Sequence, residues 1–245
     1  MGAYRLRGGN DQLPAAFADG LRDLRLLAPA RSVQLHPGGI RVGLRGGERI
    51  AARYCVLTAP LPAVRKLIEF SPDLPRPLRE AVARLRYGVA TKVMVQYSRR
   101  FWRARDESGR IASDLTFQTT WEATGGQPGR EGILVAYAAG KAGALLAGRY
   151  STTRLLLTAD EIDDVYPGSR MLYDGGAAAA WLNEMPSLGS VAAYAPGQVT
   201  RYWRALRQPV GRLYLAGEHT DSYSGTMEGA VRSGRRVAAK LDARL

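Results

Sequence analysis

The chain of 245 residues contains one cysteine, Cys55, two histidines, His36 and His219, and only four lysines, Lys66, Lys92, Lys141 and Lys240. A lone cysteine cannot close an internal disulfide. One cysteine with two histidines is too few for a Cys/His metal cluster, so no metal is expected. No apolar run approaches the ~18 residues of a membrane-spanning helix, and the N-terminus has no signal-like apolar stretch, so no membrane association is expected. No basic run exceeds two residues, and no aromatic platform interleaves with the cations. That argues against nucleic acid as a partner despite a net charge of +13. These absences leave a soluble protein of a reducing compartment, with the cytoplasm as its expected location.

What is present is a globular composition, 46% hydrophobic and 23% charged. A chain of this length can bury roughly 70% of its unfolded surface without disulfide support. Arginine makes up 31 of the 35 basic residues. That bias suits a permanent protein interface, where arginine is favoured over lysine, or a basic face turned to an acidic partner.

Along the chain, Tyr4–Arg7 reads as an extended lead-in, followed by a helix from Gln12 to Leu24 with Asn10 or Asp11 as N-cap and Pro14 in its first turn. Ser32–Leu35 and Ile40–Leu44 form a hairpin or meander across Pro37-Gly38-Gly39, and Ala52–Ala59 reads as one buried strand ending before Pro60. Two short helices follow near 62–69 and 75–85, then strands at Thr91–Tyr97, Asp114–Trp121 and Ile133–Ala138, and a helix over Tyr150–Val165. The alanine-rich stretch at 177–183 is assigned to no element. Lys92, a lone cation on an otherwise apolar strand, reads from the residues alone as an edge-strand charge.

The last fifty residues hold the sharpest feature: a short apolar strand at 211–216, a turn at Gly217–Thr220, a loop at Asp221–Gly225 and a helix from Thr226 to Leu241. Met227, Ala230, Val231, Gly234, Val237, Ala238 and Leu241 fall on one face of that helix, with Arg232, Arg235, Arg236 and Lys240 largely elsewhere. A helix N-terminus offers unpaired N–H groups and a partial positive charge, which suits an anionic ligand or a developing negative charge. Gly217 allows a backbone to approach a ligand closely, and Gly225 allows a tight turn into the helix.

Several segments together carry a family resemblance. They are Ala216-Gly217-Glu218-His219-Thr220, Tyr223-Ser224-Gly225-Thr226-Met227-Glu228-Gly229-Ala230 and Ser233-Gly234, preceded in order by Arg7-Gly8-Gly9-Asn10-Asp11-Gln12-Leu13-Pro14, Ala59-Pro60, Thr91-Lys92-Val93 with Phe101-Trp102, and Trp181 with Tyr194-Ala195-Pro196-Gly197. This pattern closely resembles the C-terminal half of the flavin amine oxidases, the monoamine, polyamine and L-amino-acid oxidases. The resemblance implies a mixed α/β and α+β fold. Residues 1–60 and 186–245 would belong to a Rossmann-like, glutathione-reductase-type FAD-binding domain, and residues 61–185 to a mixed-sheet substrate-binding domain.

It also implies FAD as cofactor. Gly217 and Glu218 would lie at its ribityl–pyrophosphate part, and the backbone N–H groups of Thr226 and Met227 at the flavin pyrimidine edge. The Val33 backbone would meet the adenine, and Trp181 would pack beside the ring. Lys92 matches the lysine that reaches flavin N5 through a water and favours oxygen reduction. Val191, Tyr223 and Thr226 would line the substrate pocket.

Three departures qualify the match. Val191 and Thr226 stand where the family carries the two aromatics of its substrate cage, with Tyr194 and Tyr223 nearby. Ser190 stands where some members attach FAD through cysteine, so FAD is expected to be non-covalent. The G-x-G-x-x-G fingerprint is absent, since Gly38-Gly39, Gly43 and Gly46-Gly47 have the wrong spacing. The expectation is one subunit of an amine or L-amino-acid oxidase, completed by a second chain that carries the fingerprint, with a small amine or amino acid and O2 as substrates. The alternative is a non-catalytic scaffold subunit or degenerate half-enzyme.

Overall fold

Turn residues cut the early chain into short strands that assemble around one core. The computed structural model describes residues 6–244, so Tyr4 and Arg5 of the extended lead-in lie outside the described residues. Helix α1 (Gln12–Asp19) stops at Gly20, five residues short of the sequence reading, and buries none of its side chains. The Pro37-Gly38 turn joins β1 (Ala30–His36) to β2 (Gly39–Leu44) as an antiparallel hairpin. Strand β3 (Arg49–Ala52) extends it, and β4 (Cys55–Leu57) departs to a different sheet. The single buried strand expected over Ala52–Ala59 is therefore two elements, and Val56 in β4 is 39% exposed. The chain turns between them, and the two strands pair in different directions.

Helix α2 (Leu61–Leu67) and α3 (Arg76–Arg84) each begin with proline in the first two positions, where a missing N–H costs nothing. Between them β5 (Glu69–Ser71) runs parallel to β1, completing the order β3-β2-β1-β5.

A second sheet, all antiparallel, has the order β7-β8-β6-β9, with β6 at Ala90–Tyr97, β7 at Thr119–Glu122, β8 at Gly132–Ala139 and β9 at Tyr173–Ala180. Only the end of the expected Asp114–Trp121 strand pairs, and the alanine-rich stretch divides between the end of β9 at 177–180 and a turn at 181–183. The period-two pattern of β6 buries Thr91, Val93, Val95 and Tyr97 against α4 (Gly140–Ala147) and α5 (Ser151–Val165). Lys92, Met94 and Gln96 point to the opposite, half-exposed face. Because β6 lies between β8 and β9, Lys92 is on an interior strand, which corrects the edge-strand reading.

The chain returns through α6 (Gln198–Arg207) to β10 (Leu213–Leu215), which pairs in parallel with β4, and ends in α7 (Met227–Asp242). Leu213 and Leu215 enter the core shared with Val33, Leu61, Val64 and Leu206, while Tyr214 and Ala216 pack against Val237 of α7. Strand β10 is thus a buried middle layer, and the start of α7 is held near its C-terminal end. In parallel sheets, ligands bind at the ends of strands.

Candidate active site

Beyond β10, Gly217 carries the chain into a 3-10 turn, Glu218–Thr220. Gly217 has φ 138°, and a Cβ there would run into the His219 ring, so no other residue fits without rearrangement. Its N–H donates to Ser233 Oγ at 2.8 Å. Its carbonyl accepts from the Thr220 N–H at 3.0 Å and the Thr220 hydroxyl at 2.9 Å.

Arg236 closes the turn from α7, donating to Thr220 O at 3.1 Å and to Thr220 Oγ1 at 2.8 Å. Its side chain is only 16% exposed. Burial, with Arg207 nearby, lowers its pKa, and Asp221 opposes that shift. Asp221 in turn pairs with Arg232 at 3.3 Å and Arg236 at 3.5 Å.

The first turn of α7 is capped from inside. Thr226 Oγ1 accepts from the Gly229 N–H at 3.0 Å and donates to Tyr223 O at 2.6 Å. The N–H groups of Met227 and Glu228, in the same turn, have no intrahelical acceptor and lie at the positive end of the helix dipole. With its hydroxyl engaged on both sides, Thr226 offers a ligand its backbone and methyl group.

Ser190–Tyr194 forms the facing segment. Gly88 N–H donates to Val191 O at 2.7 Å, Ser190 N–H donates to Gly88 O at 2.9 Å, and Tyr87 bridges to Ala192. Val191 is 38% exposed. Its Cβ would lie 3.6 Å from a side chain placed at Gly225, so the two segments are in close apposition. Glu218 links them, accepting from Ala192 N–H on one side and from Ser224 and Gly225 on the other. Trp181 follows β9, 39% exposed. Its carbonyl accepts from Gly189 N–H at 3.0 Å, and its own N–H donates to Ala90 O at 3.3 Å, two residues before Lys92.

Backbone bonds therefore connect the Lys92 strand to Trp181 and Val191, and the Glu218 carboxylate carries the connection on to its own turn. Val33 stands apart. The residue is 1% exposed in the first core, and its strand is paired on both edges, with β2 and β5.

Sequence reasoning missed the residues that hold this site from behind. Tyr194 donates its hydroxyl to His219 O at 2.6 Å. Burial, with the Glu218 charge, pushes that phenol up to about 12. Burial also raises the Tyr87 phenol. His219 is 2% exposed, with Nε2 buried and unbonded. Burial takes its pKa down to about 4 against the pull of Glu218, so the ring is neutral at pH 7. The motif spacing gave the position of His219, Ser233 and Tyr194 but not these contacts. A cavity of about 550 Å³ between Leu115 and Leu146 lies on the helix-covered side of the second sheet and contains none of these residues.

Residues 1–242 match the family model described as flavin containing amine oxidoreductase. The chain is 32% identical to an L-amino-acid oxidase of Mus musculus, over 97% of this chain and 39% of that protein. It is 31% identical to amine oxidase [flavin-containing] A of Bos taurus, over 96% of this chain and 45% of that protein. The chain thus spans less than half the length of either relative. A putrescine oxidase variant structure superimposes with a TM-score of 0.88 at 26% identity, over 97% of this chain and 53% of that one. Cyclohexylamine oxidase from Brevibacterium oxydans, at 24% identity and a TM-score of 0.87, shares the fold. This chain belongs to the flavin-containing amine oxidase family, whose members bind FAD.

Proposed function

We propose that these residues form the C-terminal part of an FAD-dependent amine or L-amino-acid oxidase. The observation that carries this reading is the pairing of a helix start with free N–H groups, at Thr226–Glu228, with a locked glycine turn at Gly217. The donor set fits the cofactor. Uncapped N–H groups suit the electron-rich pyrimidine edge of a flavin, and the exposed Trp181, Val191, Tyr223 and Met227 suit an aromatic ring system beside it.

A bound FAD would supply two-electron oxidation of the carbon bearing the amine, with O2 as the electron acceptor giving hydrogen peroxide and the imine product hydrolysing to a carbonyl and ammonia. The chain's own residues bind and orient. Met227 and its neighbours stabilise negative charge at the helix start, and Trp181 packs beside the ring. Lys92 holds a water and a positive charge where oxygen is reduced. In this reading Val33 offers its backbone to the adenine, and Val191, Tyr223 and the Thr226 methyl line the substrate path.

The dinucleotide fingerprint would come from outside these 245 residues, in our proposal from a second chain. Residues 1–60 and 186–245 would complete an FAD domain with it, while 61–185 bind substrate. Support comes from apolar side chains without cover: Phe17 at 62%, Leu26 at 76% and Val56 at 39% exposure. We place the complex in the cytoplasm, in line with the unpaired Cys55. Among the described residues no helix is long and apolar enough to cross a membrane.

Co-expression with candidate partner frames, followed by a peroxide-release screen over amines and amino acids, tests both parts. Purification of this chain alone as a monomer with stoichiometric flavin would refute the second subunit. A complex that holds flavin but oxidises nothing would favour a scaffold, the reading that Val191 and Thr226 at the cage positions would then support.

A further inference from the structure

We propose that Glu218 is a positioning residue that sets the spacing between the two walls of the substrate path. The assignment of those walls to Val191 and Tyr223 rests on the function proposed above. The clamp itself stands on geometry.

An ionised carboxylate has about four acceptor sites and no donor. On Glu218 three are taken by this chain. Oε1 accepts from the Ala192 N–H at 2.9 Å, and Oε2 accepts from the Gly225 N–H at 2.7 Å and the Ser224 hydroxyl at 3.0 Å. These donors come from two segments far apart in sequence. One follows Val191 directly, and the other joins Tyr223 to Thr226. Only one acceptor site remains, on Oε1, for any bound cofactor.

The Ser190–Tyr194 segment is held on its other edge by Arg86 and Gly88 and at its end by the Tyr194 hydroxyl on His219 O, and Glu218 adds the bond at Ala192, next to Val191. The 222–225 segment has less of its own. Tyr223 N–H donates to Asp221 Oδ1 at 3.2 Å and its carbonyl accepts from the Thr226 hydroxyl, the Ser224 hydroxyl lies 3.5 Å from Ala192 O, and Ser222, Tyr223 and Gly225 are all exposed. Hydrogen bonds to a charged, half-buried acceptor are shorter and stronger than neutral ones. A neutral amide cannot replace it. Glutamine would turn an NH2 toward at least one of the converging donors and release that segment.

The test combines amide hydrogen exchange with steady-state kinetics on the intact oxidase, using Glu218→Gln and, as a milder change, Ser224→Ala. In Glu218→Gln, protection at Ala192 or Gly225 should fall about ten- to a hundredfold, as loss of a charge-assisted bond implies. Peptides from Val93–Tyr97 should be unchanged, which separates release of the clamp from unfolding. KM for the substrate should rise more than kcat falls. Ser224→Ala should shift both readouts in the same direction and less. Unchanged protection in Glu218→Gln would show that the clamp does not exist. Lost protection with unaltered KM would show that it does not shape the pocket. A wild-type complex that oxidises no amine defeats the functional reading and the pocket role together, while the exchange data still decide the clamp.

Discussion

Lys92 Nζ lies 5.8 Å from the centre of the Trp121 indole ring. The two residues stand on strands β6 and β7, separated by β8, and face the side of the sheet opposite α4 and α5. An indole face steadies an ammonium without neutralising it, because the attraction comes from the ring quadrupole and no counter-charge is added. The arrangement sets the Lys92 amine against an aromatic ring on that face.

Replacing Lys92 with methionine retains the stem and removes the charge. Flavin reoxidation by O2 should slow by about a hundredfold, the scale of losing one electrostatic group from a site. The unfolding midpoint should barely move. Stopped-flow absorbance of the reduced enzyme mixed with O2 measures the rate, and an unchanged rate would remove Lys92 from the oxygen reaction.

Gly229 packs so tightly beneath the 221–226 loop that a Cβ would meet the Tyr223 carbonyl, which already accepts from Thr226. Gly229→Ala gains helix propensity but must push that loop aside. The net loss should be roughly 1–3 kcal/mol, the usual cost of overpacking. Urea unfolding measures it, and a stabilised variant would contradict the packing described.

His219 links stability to acid. Its folded pKa, about 4, lies below the ordinary imidazole value of 6.5. The unfolded chain therefore binds a proton between those values and the folded one does not, so stability falls as pH drops through that window. The slope is roughly 1.4 kcal/mol per pH unit, and there is no contribution above the unfolded pKa. Unfolding free energies from pH 4 to 7 should flatten in His219→Gln. The same slope in both proteins would assign the acid sensitivity to other groups.

Arg154 is 8% exposed and donates to Leu146 O at 3.0 Å and Ala147 O at 2.7 Å, capping the end of α4 from α5. Arg154→Met removes one donor from each carbonyl, leaving Leu146 O with the Arg149 N–H and Ala147 O with the Asn183 amide. About 1–3 kcal/mol should be lost, with faster exchange confined to α4 at first. Uniform loss of protection would mean that the cap serves the whole sheet.

The strand–turn–helix unit at the C-terminus was legible because a short apolar run, two glycines and a 3.6-residue periodicity are all local signals. Helix α4 was not, because Gly140 and Gly143 lower its intrinsic propensity. Its support is tertiary: Thr91 donates to Gly143 O, and Arg154 caps its end. Helix α6 could have been found, since Tyr202 and Leu206 are buried at a spacing of four. The interior place of Lys92 depends on strand order, which one sequence does not encode locally. The same holds for Glu218, whose partners at 192 and 224–225 meet only in the fold. Arg236 reads from the sequence only as a cation off the apolar face, because periodicity cannot report that Thr220 folds back over it.

The pairing of β4 with β10 joins Cys55–Leu57 to Leu213–Leu215, roughly 150 residues apart in sequence. Closing so long a loop is entropically unfavourable until the intervening chain is ordered. The hairpin of β1 and β2 and the antiparallel sheet around β6 need only shorter closures. During refolding, burial of Trp102 should therefore precede amide protection at Leu215. The surfaces that would receive the cofactor are then the last to take shape, and a newly made chain would be unable to hold flavin until nearly all of it had folded.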